Sequence, residues 1–372
     1  MKSTIVFTLI LFLLNCNVKN NSKTNDILAL LILNELPIGT AEVTTFAGTQ
    51  QPGAISGSGT SARFSLPTNK QADSQNNLYI IDSGNTGVRK YFRYGKQTNW
   101  ISFYAMNPGN SELISPYGLA IDTYNNLYVT SSFGGLVKKI TSEGVYSDII
   151  PNNGSGFVDG NFMSAKFNGL FGVVVDSKGN IFVADAGNHA IRKITQNGLV
   201  STFAGNSITP IPGFKDGWGK SSRFYRPTSL AIDKADNLYV GDSGNFSIRR
   251  ITSDGYVSTL AGNGTQGAED GKLEQARFYS DISALAIDTS GNIFVGESQS
   301  IRKISLDGKV STIAGKPSTF DQTGYRDGVG TGARFNSVKG LTFDSDGNLY
   351  ASDYNNHMIR KIVLDSKKYD QP

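Results

Sequence analysis

The chain has 372 residues, of which 38% are hydrophobic and 18% charged, and a formal charge of +4 at pH 7. That much apolar material excludes intrinsic disorder, and so mild a charge designates no partner. A single cysteine excludes a disulfide framework and a cysteine-built zinc site, and two histidines leave little for a histidine-built metal centre.

At the start, Lys2 precedes an apolar run from Ile5 to Leu14 interrupted only by Thr8. Such a run suits the core of a signal peptide over residues 1–15 and is shorter than the ~20 residues a spanning helix needs. Leu13-Leu14-Asn15-Cys16 ends it with the chain's one cysteine. This resembles the lipobox of bacterial lipoproteins, except that Asn15 stands where Gly, Ala or Ser is usual. The resemblance implies cleavage before Cys16, lipid on its thiol and amine, and a membrane-anchored protein of the cell envelope, on the periplasmic face of the outer membrane or at the cell surface. Residues 16–40 then comprise a polar tether, Asn17 to Asn25, and the apolar stretch Asp26 to Pro37. That stretch is either a short element packed on the domain or a second membrane-contacting segment.

From residue 41 to 364 the chain repeats. An apolar-Asp, three residues, Asn-apolar-aromatic pattern recurs with its leading acid at Asp73, Asp122, Asp176, Asp233, Asp288 and Asp344. A basic pair in an apolar frame follows each, as in VRKY at Val88, VKKI at Val137 and IRKI at Ile191, and then a strand such as VSTFAG at Val200. The Gly/Asn/Asp run between the first two apolar segments has the chemistry of a tight antiparallel turn. Each unit therefore predicts four short strands, and repetition of such units predicts an all-β, six-bladed propeller. The sixth unit stops after its third strand, near Ile362, while Val43 to Gly48 supplies an unattached fourth. The N-terminal strand is expected to close the ring and remove its free edges. Residues 365–372 form a C-terminal tail.

Asn188-His189-Ala190 and Asn356-His357-Met358 stand where NHL-repeat proteins carry their Asn-His-Leu signature, so the chain resembles that family. The insertions between units, with Gly-x-x-Asp-Gly at Gly156, Gly213, Gly267 and Gly324 and Ala-Arg-Phe at Ala62, Ala276 and Ala333, are similar to those of teneurin-like NHL repeats.

The loops between second and third strands share a face with these insertions, and that longer-looped face is the expected binding face. Its candidate residues are Asp82, Asn85, Phe133, Asp185, Asn188, His189, Asp242, Asn245, Glu297, Gln299, Asp353, Asn356 and His357. Recurrence of one residue type in most units also fits a framework role for the Asp and Asn. Units two and five depart from the pattern, with Phe133 in a Gly-rich loop and Glu297 and Gln299 in place of Asp-x-x-Asn, so selectivity is expected there. The two histidines fall in units three and six, across the ring from one another, which disfavours a shared ion. Two glycine-rich matches, at Gly57 and Gly262, lie in β insertions and not before a helix, so neither is a dinucleotide site. Asp344-Ser345-Asp346-Gly347-Asn348 lacks the acid that would complete a calcium loop. The basic pairs recur inside strands, which argues against nucleic acid.

The function expected is a lipid-anchored, non-catalytic module for a protein, peptide or glycan, monomeric and without cofactor, metal or catalytic residues. The alternative is a propeller enzyme of the lactonase/hydrolase or lyase type with a divalent metal near the axis. Resemblance to lactonase-like propellers implies Glu297 with a neighbouring Asn and Asp as its ligands, whereas NHL-type lyases use metal-bound His, of which this chain has too few.

Overall fold

The computed structural model describes residues 41–92, 115–206, 208–279, 282–316 and 323–364. Cys16, the signal peptide, the tether and apolar stretch, and the C-terminal tail all lie outside the described residues. Blade two shows the basic unit as four antiparallel strands in sequence order: Pro116–Ile121, Leu127–Ser131, Val137–Ile140 and Tyr146–Ile150. Blades three to six repeat it with first strands at Leu170–Val175, Pro227–Ile232, Ala284–Ile287 and Val338–Phe343, and blade one begins at Pro67–Ala72. The turn from first to second strand is built by the leading Asp. The Asp176 Oδ1 accepts the N–H groups of Lys178 and Asn180, at 3.0 and 2.7 Å, and its Oδ2 accepts from Asn180 Nδ2. The side chain thereby satisfies donors that a two-strand reversal leaves unpaired.

Ala41–Gly48 pairs antiparallel with Met358–Leu364, from Ala41 opposite Leu364 to Gly48 opposite Met358. The ring is closed by the N-terminal strand, as its sequence implied. Four blades exceed the expected count of strands. Gly160–Asn161, Gly217–Trp218, Gly271–Lys272 and Gly328–Val329 add a fifth, outermost strand to blades three, four, five and six. Each comes from the Asp-Gly half of the insertion preceding the blade, so the insertions belong partly to the sheets. These two-residue edges are short enough to limit edge-to-edge pairing.

The core is a ring of interblade clusters. One joins Val174 and Phe182 of blade three to Leu230, Leu238 and Val240 of blade four, and another joins Tyr79 and Ile81 of blade one to Leu119, Leu127 and Val129 of blade two. The apolar alternation of each strand thus packs against the neighbouring blade, so no blade buries its face alone. Antiparallel order leaves two unlike faces. The upper carries the second-to-third loops and the two ends of each insertion; the lower carries the first-to-second and third-to-fourth turns, to which the insertion before blade three reaches at Asn161 and Phe162.

Candidate functional site

Most of the expected upper-face residues lie inside the blades. Asp185 has no exposure and neither does Arg192, seven residues on. The Asp185 Oδ1 accepts the Asn168 N–H at 2.8 Å, while its Oδ2 accepts from Asn188 Nδ2 and Arg192 Nη1, each at 2.8 Å. Asn188 Nδ2 also reaches the Gly156 carbonyl at 2.8 Å, tying the loop to the insertion. Arg192 Nη2 binds a second carboxylate, Asp159, at 2.7 Å, and its guanidinium sits 4.9 and 4.7 Å from the ring centres of Phe157 and Phe167. A planar, five-donor cation suits this site, since it can hold two acids and two carbonyls while its faces lie on aromatic rings.

The same lock recurs with Asp82 and Arg89, Asp242 and Arg249, Asp353 and Arg360, and Glu297 and Arg302, at 3.1, 2.9, 2.7 and 3.2 Å. Asn85, Asn245 and Asn356 hold Gly53, Gly213 and Gly324 as Asn188 holds Gly156. Burial raises the pKa of all five acids, to about 6 for Asp185 and Asp242, against the opposing pull of the paired arginine. These carboxylates present no surface to a ligand, so of the two roles expected for the recurring acids the structure shows the framework one and removes them from the candidate binding residues. The buried Glu297 likewise cannot carry selectivity or join an axial metal, because its two oxygens serve Arg302 and the Tyr279 N–H. Gln299 is buried beside it. The repeated arginines find their partners mainly within the blade and its insertion, and the Gly-x-x-Asp-Gly and Ala-Arg-Phe motifs prove to be the walls of the arginine cage.

His189 and His357 each occupy the left-handed region, at φ 55° and 57°. Their Nδ1 atoms accept the N–H of Arg226 and Leu66, at 3.1 and 3.0 Å, so each histidine clasps the next blade. Burial lowers both pKa values below the ordinary histidine range, favouring the neutral ring that can accept. They serve different joints, between blades three and four and between six and one. Among the described residues no group of three or more His, Cys, Asp or Glu is disposed to hold a metal ion.

Of the expected binding residues, Phe133 stands out in water, 64% exposed, on a loop where Ser131 replaces the locking Asp. Blade two has no such lock: Lys138 replaces the arginine and pairs at 2.6 Å with Asp148 of the fourth strand.

A cavity lined from several blades opens on the lower face, opposite the expected one. It is a groove of about 790 Å³ running across blades two, three and four, with Tyr124, Lys139, Asp148, Phe162, Lys178 and Gln196 among its walls. At its inner end, Ile121, Val175 and Ile232 are shared with a second depression of about 240 Å³. That second space is lined by first strands of all six blades, and so lies on the axis, with Gln71 and Thr342 the polar members of an apolar wall. Sequence reasoning missed the groove. The available signal was Tyr124, an aromatic at the turn position that Gln75, Lys178, Ala235, Ser290 and Asp346 fill elsewhere. It also missed Lys70, buried where the other blades have Leu or Val, whose Nζ donates to the Gly340 carbonyl at 2.7 Å across the first joint.

The Teneurin NHL domain profile matches residues 154–363. The chain belongs to the teneurin NHL domain family. Teneurin-3 of Danio rerio is 32% identical over 217 residues, covering 51% of this chain and 8% of that protein, so the chain spans a small part of its relative's length. Among solved structures, an auxiliary nutrient binding protein from Bacteroides thetaiotaomicron superposes with a TM-score of 0.64 at 15% identity, over 88% of this chain and 77% of that one. Virginiamycin B lyase from Staphylococcus aureus does so with a TM-score of 0.52 at 12% identity, over 87% and 99%. At such identities the likeness is one of fold, and the NHL propeller carries its function in sites and not in its frame.

Proposed function

We propose that this NHL propeller is a non-catalytic binding module, held at the cell envelope through lipid on Cys16, for a protein, peptide or glycan ligand outside the cytoplasm. The observation that carries the reading is the engagement of the upper-face acids and of both histidines in the frame. The five locking acids are buried against arginines, and both histidine Nδ1 atoms accept backbone N–H groups. General acid–base or metal chemistry needs such groups within reach of a substrate atom. What faces solvent in concave form is instead the mixed polar and aromatic groove of the lower face.

Two measurements test the reading. Elemental analysis of the purified, dialysed protein should find no stoichiometric divalent ion; one ion per chain would overturn the non-catalytic reading in favour of a metal-dependent propeller. Cys16→Ser should shift the protein from the membrane to the soluble fraction and abolish incorporation of a fatty-acid analogue. A parent protein that takes up no label would overturn the anchor.

A further inference from the structure

We infer that the lower-face groove across blades two, three and four binds a neutral oligosaccharide, an inference that rests on the binding-module reading and gives it a site and a ligand class. Its volume of about 790 Å³ falls in the ~300–1,000 Å³ range of small-molecule sites. Two rings on its walls are exposed beyond what packing requires. Tyr124 is 79% and Phe162 43% exposed, and Tyr124 sits on a turn whose geometry is set by Asp122 and Asn126, without help from the ring. A solvent-facing aromatic ring offers a flat apolar platform to the C–H face of a pyranose, with the phenol hydroxyl of Tyr124 free to pair at its edge.

The polar groups narrow the class. The lining includes five carboxylates, those of Asp122, Asp148, Asp176, Asp233 and Asp236, and the three ammonium groups of Lys139, Lys178 and Lys234. An anionic ligand meets the acids and a cationic ligand meets the lysines, each like-charge approach being costly. A sugar hydroxyl both donates and accepts, so it can pair with either sign and carries no charge of its own. The carboxylates are fixed in advance. Asp122 and Asp233 are held by turn N–H groups and by the Tyr128 and Tyr239 hydroxyls, and Asp236 accepts from the Ser177 N–H and hydroxyl of the neighbouring blade. Lys139 lies over the Tyr128 ring at 5.7 Å. A preorganised wall loses less side-chain freedom on binding.

The asymmetry that a single site needs comes from blade two. Its loss of the lock puts Asp148 where the other described fourth strands have Thr45, Thr202, Thr259 or Thr312, and Asp148 is a wall of the groove.

The test is a glycan array of neutral and acidic oligosaccharides probed with the full chain, followed by calorimetric titration of the retained glycans into the parent, Tyr124→Ala, Lys178→Ala and Phe133→Ala proteins. A neutral oligosaccharide should be retained, and Tyr124→Ala and Lys178→Ala should each weaken it, by about tenfold or more for the aromatic anchor, with unchanged melting temperature. Phe133→Ala, on the opposite face, should bind as the parent does. Retention of acidic glycans alone, retention of none, or equal affinity for the parent and both groove variants would overturn the inference. Loss of binding in Phe133→Ala alone would move the site to the upper face and leave the binding-module reading standing. Shortened products in the titrated mixture would overturn that reading as well.

Discussion

Lys138 and Asp148 meet at 2.6 Å in blade two, at the place where each other blade sets an arginine against a buried acid of its second strand. The exchange is coordinated: Ser131 takes the place of the locking acid, and its hydroxyl turns to the Phe133 carbonyl of its own loop. A lysine offers three donors from a point charge and cannot bridge two acids and two carbonyls as the arginine does. One carboxylate on the facing strand is enough for it. Asp148→Ala should therefore leave a nearly buried ammonium without its partner and cost about 1–3 kcal/mol. Chemical denaturation of parent and variant checks this, and a midpoint unchanged by the substitution would show that the pair is neutral.

Removing an arginine from a complete lock should cost more. Arg192→Leu strands Asp185, which has no exposure, and takes one donor each from Asp159 and the Lys166 and Val158 carbonyls; loss of one partner from a buried pair costs about 3–5 kcal/mol. The double variant Asp185→Leu/Arg192→Leu should recover only part of this, because the Asn168 N–H and one Asn188 Nδ2 hydrogen lose the Asp185 oxygens that accept them. Full recovery in equilibrium unfolding would assign the whole cost to the stranded Asp185 charge.

Deletion of residues 42–48 removes the strand that completes blade six, including Val43 and Ala47, both fully buried. The third strand of that blade would become an open edge on a hydrophobic sheet. Size-exclusion chromatography should show aggregation, or thermal melting a clear loss. A truncated protein that elutes and melts like the parent would mean that closure contributes nothing to stability.

The two histidine clasps make stability depend on pH. Burial puts the folded pKa of His189 and His357 below the unfolded value of ~6.5. Their contribution is therefore whole above that unfolded value and is lost as pH falls through the lower folded one. Protonation converts Nδ1 from acceptor to donor, facing the Arg226 and Leu66 N–H groups. His189→Asn/His357→Asn keeps an acceptor oxygen and tolerates the left-handed backbone, without titrating. The variant and parent should melt alike at pH 7.5, and the parent should fall relative to the variant as pH is lowered to 5. Parallel melting curves across that range would remove the clasps from the pH response.

Much of the lock could have been assembled from spacing alone. Asp185 and Arg192 are seven residues apart on adjacent strands, and Asp159, Asp216 and Asp327 each precede their arginine by 33 residues. What hid the pairing was direction. A strand's alternation says that a residue faces one side or the other, not that an insertion thirty residues upstream has folded back to meet it. The recurrence of the acids points to a framework role, but only the neighbouring elements that bury them show which arginine and which loop each one holds.

The sequence by itself determined the period, the strand content, the turn chemistry and the strand that closes the ring, because all of these follow from local alternation and from residues within a few positions of one another. Only the tertiary structure decided which polar residues are framework and which face solvent, and on which face a cavity forms. Burial is a property of what the neighbouring blade brings, as when Asp236 of blade four caps the Ser177 turn of blade three. The groove has the same origin: Tyr124, Lys178 and Gln196 come from turns of two blades, and nothing in either turn specifies the space between them.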